Sequence, residues 1–299
     1  MRPWAADAVR SGGGTVVQPG DAEALVWTAT GFEPGFRPND LVALLKQHQA
    51  IRWVQLPWAG VEPFVEGGIF DRDHVWTSGK GVYARPVAEH ALALALAGLR
   101  HLKAYSEARA WTAQAGTTLV DGRATVFGGG GTTEELVDLL QPFRCRITVV
   151  RKRPAPMQGV HPVLGWEQRY EALPGADAVF LALALTPETA RSFGRHEFEA
   201  MERHAWLVNV ARGGHVVTDE LVEALTQHTI GGAALDVTDP EPLPDGHPLW
   251  ALPNCLITPH TANTYEMAIP LLTARIAENV RRYAAGEPLL GLVEPALGY

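Results

Sequence analysis

The sequence predicts an α/β protein whose larger domain is built on a doubly wound parallel sheet. From residue 124 onward short apolar runs alternate with helical segments, and a glycine-rich turn stands directly after the first of these runs. The length of 299 residues adds a third observation, because single hydrophobic cores stop growing at about 250–300 residues. Two domains are therefore expected.

The first predicted domain occupies residues 1–86 and is a smaller, flavodoxin-like α/β unit. Its strand patterns are short, and one helix lies between two of them. The predicted strands are Thr15–Gln18, Ala24–Thr28, Arg52–Gln55 and Val75–Thr77, and the predicted helix is Asn39–His48.

The second predicted domain, residues 87–264, contains the Rossmann-type sheet. Right-handed crossovers place the carboxyl ends of its strands at one edge, where ligands of such sheets bind. The helical segments Val87–Leu102 and Tyr265–Ala284 are predicted to be rigid connectors, so residues 265–299 return to the first domain. The strand runs are ATVF, RITVV, AVFLAL, WLVNV, GGAALDV and CLITP, with helices at Thr133–Leu140 and Asp219–Leu225.

Composition and charge argue against several classes of partner. The formal charge of -8 gives no support to nucleic-acid binding, because a polyanion needs a basic face. The sequence shows neither a membrane span nor a targeting signal at its start, so a cytoplasmic protein is expected. Cys145 and Cys255 have apolar or β-branched neighbours and are predicted to be buried thiols. No residue group has metal-ligand spacing, so no metal is expected.

The segment ATVFGGGGTTEELVDLL is typical of a dinucleotide-binding turn, because a buried strand, a glycine corner and a helix follow one another. Gly128 and Gly130 occupy the first two positions of G-x-G-x-x-G. The amides of Gly131 and Thr132 are predicted to face a pyrophosphate. Thr133 stands at the third position and could push the helix slightly outward. The motif alone is weak, and a purely structural glycine turn is the alternative.

Basic residues follow the next strand, where an NAD-specific site would present Asp or Glu to the ribose hydroxyls. Arg151, Lys152 and Arg153 stand there instead. Because guanidinium and ammonium groups pair with a 2′-phosphate, we predict NADP as cofactor, with NADPH preferred over NADH. A solvated basic loop is the alternative. Thr186, after the run AVFLAL, and Val210, the last residue of WLVNV, are further predicted cofactor contacts.

Three residues of suitable chemistry follow three consecutive strand runs. Arg212 comes just after WLVNV, Glu241 lies in the loop after GGAALDV, and His260 comes just after CLITP. A scattered Arg, Glu and His would ordinarily be surface residues. Their shared position at the ligand edge makes that reading improbable.

These residue types match the reduction of a 2-oxo acid. While hydride reaches the carbonyl carbon, the developing alkoxide takes up a proton. Histidine is a residue type suited to supply it near neutral pH, so His260 is predicted to be the general acid. A carboxylate hydrogen-bonded to the imidazole fixes its orientation, a role that suits Glu241. The guanidinium of Arg212 matches a substrate carboxylate and can also polarise the carbonyl.

The motifs NVARGG, LDVTDPEPLPDGHPLW and ITPHTA resemble signatures of the D-isomer-specific 2-hydroxyacid dehydrogenase family. With LALT, WAGVE and VAEHALAL, the resemblance covers nearly the whole chain. It implies that Arg212, Glu241 and His260 fill the family's catalytic positions and that Asp236 meets the nicotinamide carboxamide. The departures from the family pattern are Thr133, Arg151, Ala184 and Asn263.

The resemblance also has implications outside the catalytic set. It implies that backbone amides near Gly60 and Val61 help to hold the substrate carboxylate, and that the chain forms a homodimer. Trp58, beside Ala59 in the same loop, is predicted to wall the pocket and favour small substrates, with a packed core tryptophan as the alternative. Tyr83 is a further candidate substrate contact, and so are Lys80 and Arg85, although each is more often a solvated side chain.

The sequence therefore predicts an NADPH-dependent reductase of small 2-oxo acids, with glyoxylate and hydroxypyruvate as the first candidates. The alternative is a catalytically weak NAD(P)-sensing interaction protein of the corepressor type, since relatives of this fold include such proteins. The intact set of Arg212, Glu241 and His260 weighs against it. His90 and His247 carry no motif and are expected to be structural.

Overall fold

A computed structural model describes residues 2–28, 38–61, 64–65 and 67–294. The chain divides into two compact units, one formed by Met1–Tyr83 with Thr264–Tyr299 and the other by Ala84–Asn263. The second unit is therefore inserted in the first, which is the predicted arrangement. The predicted boundaries, after residues 86 and 264, here fall after residues 83 and 263.

The first unit contains a three-stranded parallel sheet in the order β1-β2-β3. Its core is made of apolar side chains from the strands and from helix α2, among them Leu41, Ile51 and Val54. The elements of this unit are α1 (Pro3–Ser11), β1 (Ala24–Val26), α2 (Pro38–Gln47), β2 (Trp53–Gln55), β3 (Val75–Thr77) and, from the end of the chain, the long helix Tyr265–Ala285.

One predicted strand in this unit was wrong. Thr15–Gln18 forms no strand. Thr15, Val17 and Gln18 are exposed, so the segment has no buried face. The sequence reading also missed helix α1, which starts at Pro3 in a position that tolerates proline and packs on the helix Tyr265–Ala285. A strand needs a paired neighbour and a buried face, and this segment has neither in the described part of the chain.

The last helix is tied to the first unit by a buried amide. Asn279 is fully buried, and its Nδ2 donates to Gln55 Oε1 at 2.9 Å and to the carbonyl of Leu290 at 3.0 Å. Its Oδ1 accepts from the amide of Leu290 at 2.8 Å. All of its bonding groups are used, so the C-terminal segment is held to strand β2 by a satisfied polar network.

The second unit contains a seven-stranded, all-parallel sheet in the order β10-β9-β8-β7-β4-β5-β6. The strand order reverses between β4 and β7, which is the switch point where ligands of doubly wound sheets bind. The fold class predicted from the sequence is confirmed. The strands are β4 (Arg123–Phe127), β5 (Arg146–Val150), β6 (Val163–Leu164), β7 (Ala178–Leu181), β8 (Trp206–Asn209), β9 (Gly232–Leu235) and β10 (Cys255–Ile257).

Both faces of this sheet are buried, which explains its unbroken apolar strand runs. In β7, Val179 and Leu181 enter one core cluster, whereas Ala178 and Phe180 enter the cluster on the other face. The helices of this unit are α3 (Ala84–Leu99), α4 (Leu102–Glu107), α5 (Gly131–Leu140), α6 (Arg195–Ala200), α7 (Thr218–Thr226) and α8 (Pro248–Ala251), and the helix Tyr265–Ala285 is α9.

Both cysteines are free thiols. Burial is the main factor that raises the pKa of Cys145 to about 11 and that of Cys255 to about 12, so neither is an activated nucleophile. No helix in the described ranges is both long and apolar enough to cross a bilayer. The cytoplasmic location stays a prediction.

Candidate active site

The carboxyl ends of strands β4, β8, β9 and β10 carry the residues that the sequence singles out. The glycine turn follows β4, Arg212 follows β8, Asp236 and Glu241 follow β9, and His260 follows β10. All of them belong to the second unit, and parallel pairing places their strand ends at one edge of its sheet.

The glycine turn is shaped by a close approach of two backbone segments. Gly128 has a φ of +136°, and a Cβ there would lie 2.1 Å from the carbonyl oxygen of Ala182. No other residue type fits this position without a shift of backbone. A Cβ on Gly130 would meet nothing within 4 Å, so open space lies in front of the turn.

Helix α5 begins at this turn, and within the described residues no side chain caps its first amides. Gly130 is its N-cap and has no side chain to cap the first amides, so these N–H groups are available to an anion. The turn, the open space and the bare helix start fit the pyrophosphate of a dinucleotide. Thr133 is fully buried within the first turn, and no hydrogen-bond partner for its hydroxyl lies in the described residues.

Arg151 packs directly across the turn. A Cβ on Gly129 would lie 2.5 Å from its Nε and 2.9 Å from its Cζ, so this glycine makes room for the guanidinium. The two neighbouring basic residues are arranged differently. Lys152 pairs with Glu188 at 3.0 Å, and Arg153 is exposed. Of the three predicted basic contacts, Arg151 has the best-defined position beside the turn.

The loop from Leu183 to Thr189 after β7 is held by a buried histidine and by its own hydroxyls. Thr189 Oγ1 donates to the carbonyl of Ala184 at 2.8 Å and accepts from the amide of Thr186 at 2.9 Å. His215 is fully buried and places its ring nitrogens 3.1 Å and 3.2 Å from the carbonyls of Thr189 and Leu183. Thr186 therefore sits in a braced loop, and Val210 is 9% exposed at the end of β8.

The backbone around Arg212 is held by a buried side chain before it and by a close loop contact after it. Asn209 is fully buried; its Nδ2 donates to the carbonyl of Arg212 at 2.9 Å, and its Oδ1 accepts from the amide of Ala211 at 3.0 Å. The next residue, Gly213, lets two loops meet, because a Cβ there would lie 1.9 Å from the carbonyl oxygen of Thr238. The Arg212 loop is thereby pressed against the loop that carries Glu241.

Glu241 and His260 form a direct pair. His260 Nδ1 lies 2.7 Å from Glu241 Oε1, and the two side chains are 40% and 37% exposed. The other carboxylate oxygen accepts from the amide of Thr238 at 3.3 Å. The carboxylate fixes the orientation of the imidazole.

The pKa of the Glu241 carboxyl lies below its ordinary value. Partial burial is the largest influence and raises the pKa, but the hydrogen bond and charge of His260, the Thr238 amide and the positive charge of Arg212 together lower it further. Glu241 is therefore a carboxylate at neutral pH, and Arg212 is near enough to act on it. The structure brings the predicted catalytic set together.

Asp236 has a role that the sequence reading did not foresee. Its side chain is 1% exposed. Its Oδ1 accepts from Thr258 Oγ1 at 2.6 Å and from the amide of Thr261 at 2.8 Å, and its Oδ2 accepts from the amide of Ala262 at 3.0 Å. This carboxylate organises the loop that carries His260. Its contact with a nicotinamide carboxamide stays a prediction.

The same loop contains a strained residue. His260 has a φ of +52°, a left-handed conformation that costs a non-glycine residue roughly 1 kcal/mol. Its amide bonds to the carbonyls of Asp236 at 2.9 Å and Thr258 at 3.0 Å. Surrounding hydrogen bonds therefore hold His260 in a conformation that the chain would not choose locally.

The predicted substrate residues Trp58, Ala59, Gly60, Val61 and Tyr83 lie in the first unit. Trp58 packs on Phe64 with ring centroids 5.4 Å apart, and Val61 is 1% exposed. The Tyr83 hydroxyl donates to the carbonyl of Pro57, and burial raises its pKa to about 12. This bond accounts for the hydroxyl within its own unit, so a substrate contact through it stays a prediction.

Comparison with known proteins identifies the family of the chain. Residues 91–262 match the model of the D-isomer specific 2-hydroxyacid dehydrogenase NAD binding domain. The chain belongs to the D-isomer specific 2-hydroxyacid dehydrogenase family. It is an NAD(P)-dependent dehydrogenase of this family, and the recognition made from its motifs is confirmed.

Individual relatives extend the match beyond the cofactor domain. The chain is 36% identical over 255 residues to an "uncharacterized protein in proB 3'region" of Corynebacterium melassecola, covering 83% of this chain and 84% of the relative. It is 36% identical over 177 residues to glyoxylate/hydroxypyruvate reductase A of Serratia proteamaculans (strain 568), covering 58% of this chain and 55% of that enzyme.

A solved structure is similar over almost the entire chain. The D-isomer specific 2-hydroxyacid dehydrogenase of Xanthobacter autotrophicus Py2, in complex with NADPH and MES, has a TM-score of 0.82 and 27% sequence identity. The match covers 99% of this chain and 95% of that one. The two-domain dehydrogenase fold is therefore shared.

Several residues that shape this site were not predicted from the sequence. Gly129 and Gly213 stand out only through the atoms that a side chain would meet, and Asn209 and Thr258 only through their hydrogen bonds. Their places at strand ends were the available signal, since Asn209 ends β8 and Thr258 follows β10.

Replacing Asp236 should reveal its structural role through pH. Burial raises its pKa, but the bonds from His90, Thr258, Thr261 and Ala262 bring it below 3.8. We expect Asp236→Asn to lower the free energy of unfolding by about 2 kcal/mol at neutral pH, because an amide places a donor against donors. Because the pKa of Asp236 is lower in the folded state than in the unfolded state, its carboxylate stabilises the fold fully at pH values above the unfolded-state pKa. This contribution is lost as the pH falls through the folded-state pKa.

Urea unfolding of both proteins across pH measures this difference. It should be constant from neutral pH down to about 4 and shrink at lower pH. Asp219→Asn, an exposed acid on α7, is the control and should stay within about 0.5 kcal/mol of the parent protein. Equal stability of Asp236→Asn and the parent at neutral pH would contradict this role.

Proposed function

We propose that this dehydrogenase reduces a small 2-oxo acid, such as glyoxylate or hydroxypyruvate, to the D-2-hydroxy acid with NADPH, and catalyses the reverse oxidation. One observation carries the proposal. His260 and Glu241 lie 2.7 Å apart, near Arg212, at the same sheet edge as the glycine turn. This set supplies a proton donor, an orienting carboxylate and a fixed cation beside a dinucleotide site.

Each residue of the set has a separate task. Arg212 binds the substrate carboxylate with its planar fork of donors and draws electron density from the adjacent carbonyl. His260 gives its proton to the carbonyl oxygen as that oxygen gains negative charge. Glu241 keeps the imidazole oriented and stabilises its charged form. In the oxidation, His260 takes the proton back from the hydroxyl.

The cofactor binds at the turn between β4 and α5. When bound, its nicotinamide supplies or accepts the hydride. Gly128 and the bare amides of α5 hold the pyrophosphate, and Arg151 pairs with the 2′-phosphate that distinguishes NADP. The position of the Arg151 guanidinium across Gly129 supports NADPH as the preferred form. The Xanthobacter autotrophicus Py2 relative was solved with NADPH, which is in line with this preference.

The preference for a small substrate rests on two supports. The Serratia relative is named a glyoxylate/hydroxypyruvate reductase, although the match spans 55% of its length. The loop of Trp58, Ala59, Gly60 and Val61 offers a bulky indole and two backbone amides that we assign to the substrate carboxylate. Both supports favour an acid with two or three carbons.

Removal of the proton donor tests the mechanism. His260→Ala should lower kcat by about 10²–10⁴-fold with glyoxylate or hydroxypyruvate, because a general acid contributes that much. Glu241→Gln should lower kcat less, since the imidazole loses its orienting charge but remains present. The rate of NADPH oxidation, followed by its absorbance, gives kcat of both variants with a panel of 2-oxo acids.

His196→Ala is a suitable control, because this exposed histidine on α6 lies outside the set. Full activity of His260→Ala would show that another group is the acid. The NAD(P)-sensing interaction protein remains the second candidate from the sequence. It would be favoured if the unmodified protein bound NADPH but turned over none of the acids in the panel.

Cofactor choice is tested by reversing the charge of Arg151. Arg151→Asp should raise the KM for NADPH at least tenfold and leave the KM for NADH equal or lower, because an acid repels the 2′-phosphate and accepts from ribose hydroxyls. The control is Arg146→Asp, which changes an exposed arginine at the opposite end of the same strand. An unchanged ratio of kcat/KM for NADPH and NADH would refute the role of Arg151.

We also propose that two copies associate through the segment after α3. This segment exposes large apolar side chains, and Trp111 is 99% exposed. Several exposed large apolar side chains in one segment are typical of an interaction surface. The others are Leu102 at 53%, Tyr105 at 36% and Val120 at 41% exposed.

Trp111→Arg should convert a dimer to a monomer in light scattering coupled to size-exclusion chromatography, because a charge replaces the most exposed indole of the surface. Trp250→Arg, at a 46% exposed tryptophan on α8, is the matched control and should leave the mass unchanged. A dimer that persists in Trp111→Arg at micromolar concentration would place the interface elsewhere.

A further inference from the structure

His90 on helix α3 contacts the network beneath the catalytic histidine. Its Nε2 lies 3.0 Å from Thr258 Oγ1 and 3.3 Å from Asp236 Oδ1. The imidazole is 23% exposed, and Asp236 is 1% exposed. From the sequence, His90 is expected only to be structural, because it carries no motif. The contacts give it a more specific place.

The hydrogens of this cluster can be assigned. Thr258 has one hydroxyl hydrogen, and it points to Asp236 Oδ1 at 2.6 Å. Toward His90, the Thr258 oxygen can therefore only accept, and the carboxylate of Asp236 can only accept as well. His90 Nε2 must carry the hydrogen, and it donates to both oxygens from one position.

The two acceptors of His90 also determine the backbone at His260. The His260 amide bonds to the carbonyls of Asp236 and Thr258, the same two residues. The Asp236 carboxylate holds the amides of Thr261 and Ala262 just beyond. His260 itself has a φ of +52°, so its conformation depends on these bonds rather than on local preference.

Helix α3 gives His90 a fixed base. The helix has 16 residues, and Ala88 and Ala91, on either side of His90, are fully buried in the core of the second unit. The donor is thus anchored on an element separate from β9 and β10, which carry its acceptors. A rigid support of this kind limits the movement of the side chain that it orients.

We propose that His90 is a positioning residue for the reaction: its Nε2–H holds Thr258 and Asp236, and through them the strained loop that aims His260. The inference rests on the proposed function, in which His260 is the general acid. His90 itself does not touch the substrate or the cofactor in this role.

Two substitutions separate the donor from the bulk of the ring. His90→Leu removes the donor and should lower kcat roughly tenfold to hundredfold, because small displacements of an aligned catalytic group are costly. The KM for the 2-oxo acid should change less than about twofold, since Arg212 lies outside the network. His90→Gln keeps an N–H donor at the same reach and should restore most of kcat. Glu89→Gln, at the exposed neighbour on α3, is the control.

A second readout does not depend on turnover. Hydrogen exchange of the Thr261 and Ala262 amides should be faster in His90→Leu than in the parent protein and near the parent rate in His90→Gln. Thr258→Val and Thr258→Ser give the same contrast from the acceptor side, should His90→Leu fail to fold. The valine should lower kcat, and the serine should preserve it.

The outcomes are distinct. Parent-like kcat in His90→Leu, or equal loss of kcat in His90→Leu and His90→Gln, would overturn the positioning role. Faster exchange with unaltered kcat would also overturn it, since the loop would then have loosened without consequence for catalysis. Failure of the proposed function would be recognised separately, because the parent protein would then turn over none of the 2-oxo acids or His260→Ala would retain full activity.

Discussion

The buried carboxylate of Asp236 is the interaction on which the rest of the site depends. A charge with 1% exposure must be surrounded by donors, and within the described residues these donors belong to the loop after β10 and to His90. The need to satisfy this charge fixes the backbone of the loop. The loop in turn holds His260 in a left-handed conformation next to Glu241.

The parallel sheet explains why distant parts of the sequence share one site. Parallel pairing aligns the carboxyl ends of β4, β8, β9 and β10, and close backbone approaches then bring neighbouring loops into contact. Gly128 and Gly213 are the two positions where such an approach excludes a side chain. The sheet aligns the strand ends, and these glycines allow the loops that follow them to come into backbone contact.

The sequence predicted the second unit better than the first. Its strands are buried on both faces, so their apolar runs are continuous and easily recognised, and Arg212, Glu241 and His260 stand at fixed places after them. Thr15–Gln18 misled because its β-branched residues favour an extended chain but do not supply a partner strand. The network that holds the His260 loop could not be predicted, because Asp236, Thr258 and His90 meet only in the folded chain. No motif or regular spacing in the sequence links these three residues.

The insertion of one domain within the other has a consequence for biosynthesis. Gln55 and its partner Asn279 are separated by 224 positions, and the whole inserted unit is translated between them. Strand β2 is therefore synthesised before Asn279, the partner of its buried Gln55. The inserted sheet, in contrast, comes from one continuous stretch of chain. Completion of the first unit therefore follows synthesis of the unit that is inserted in it.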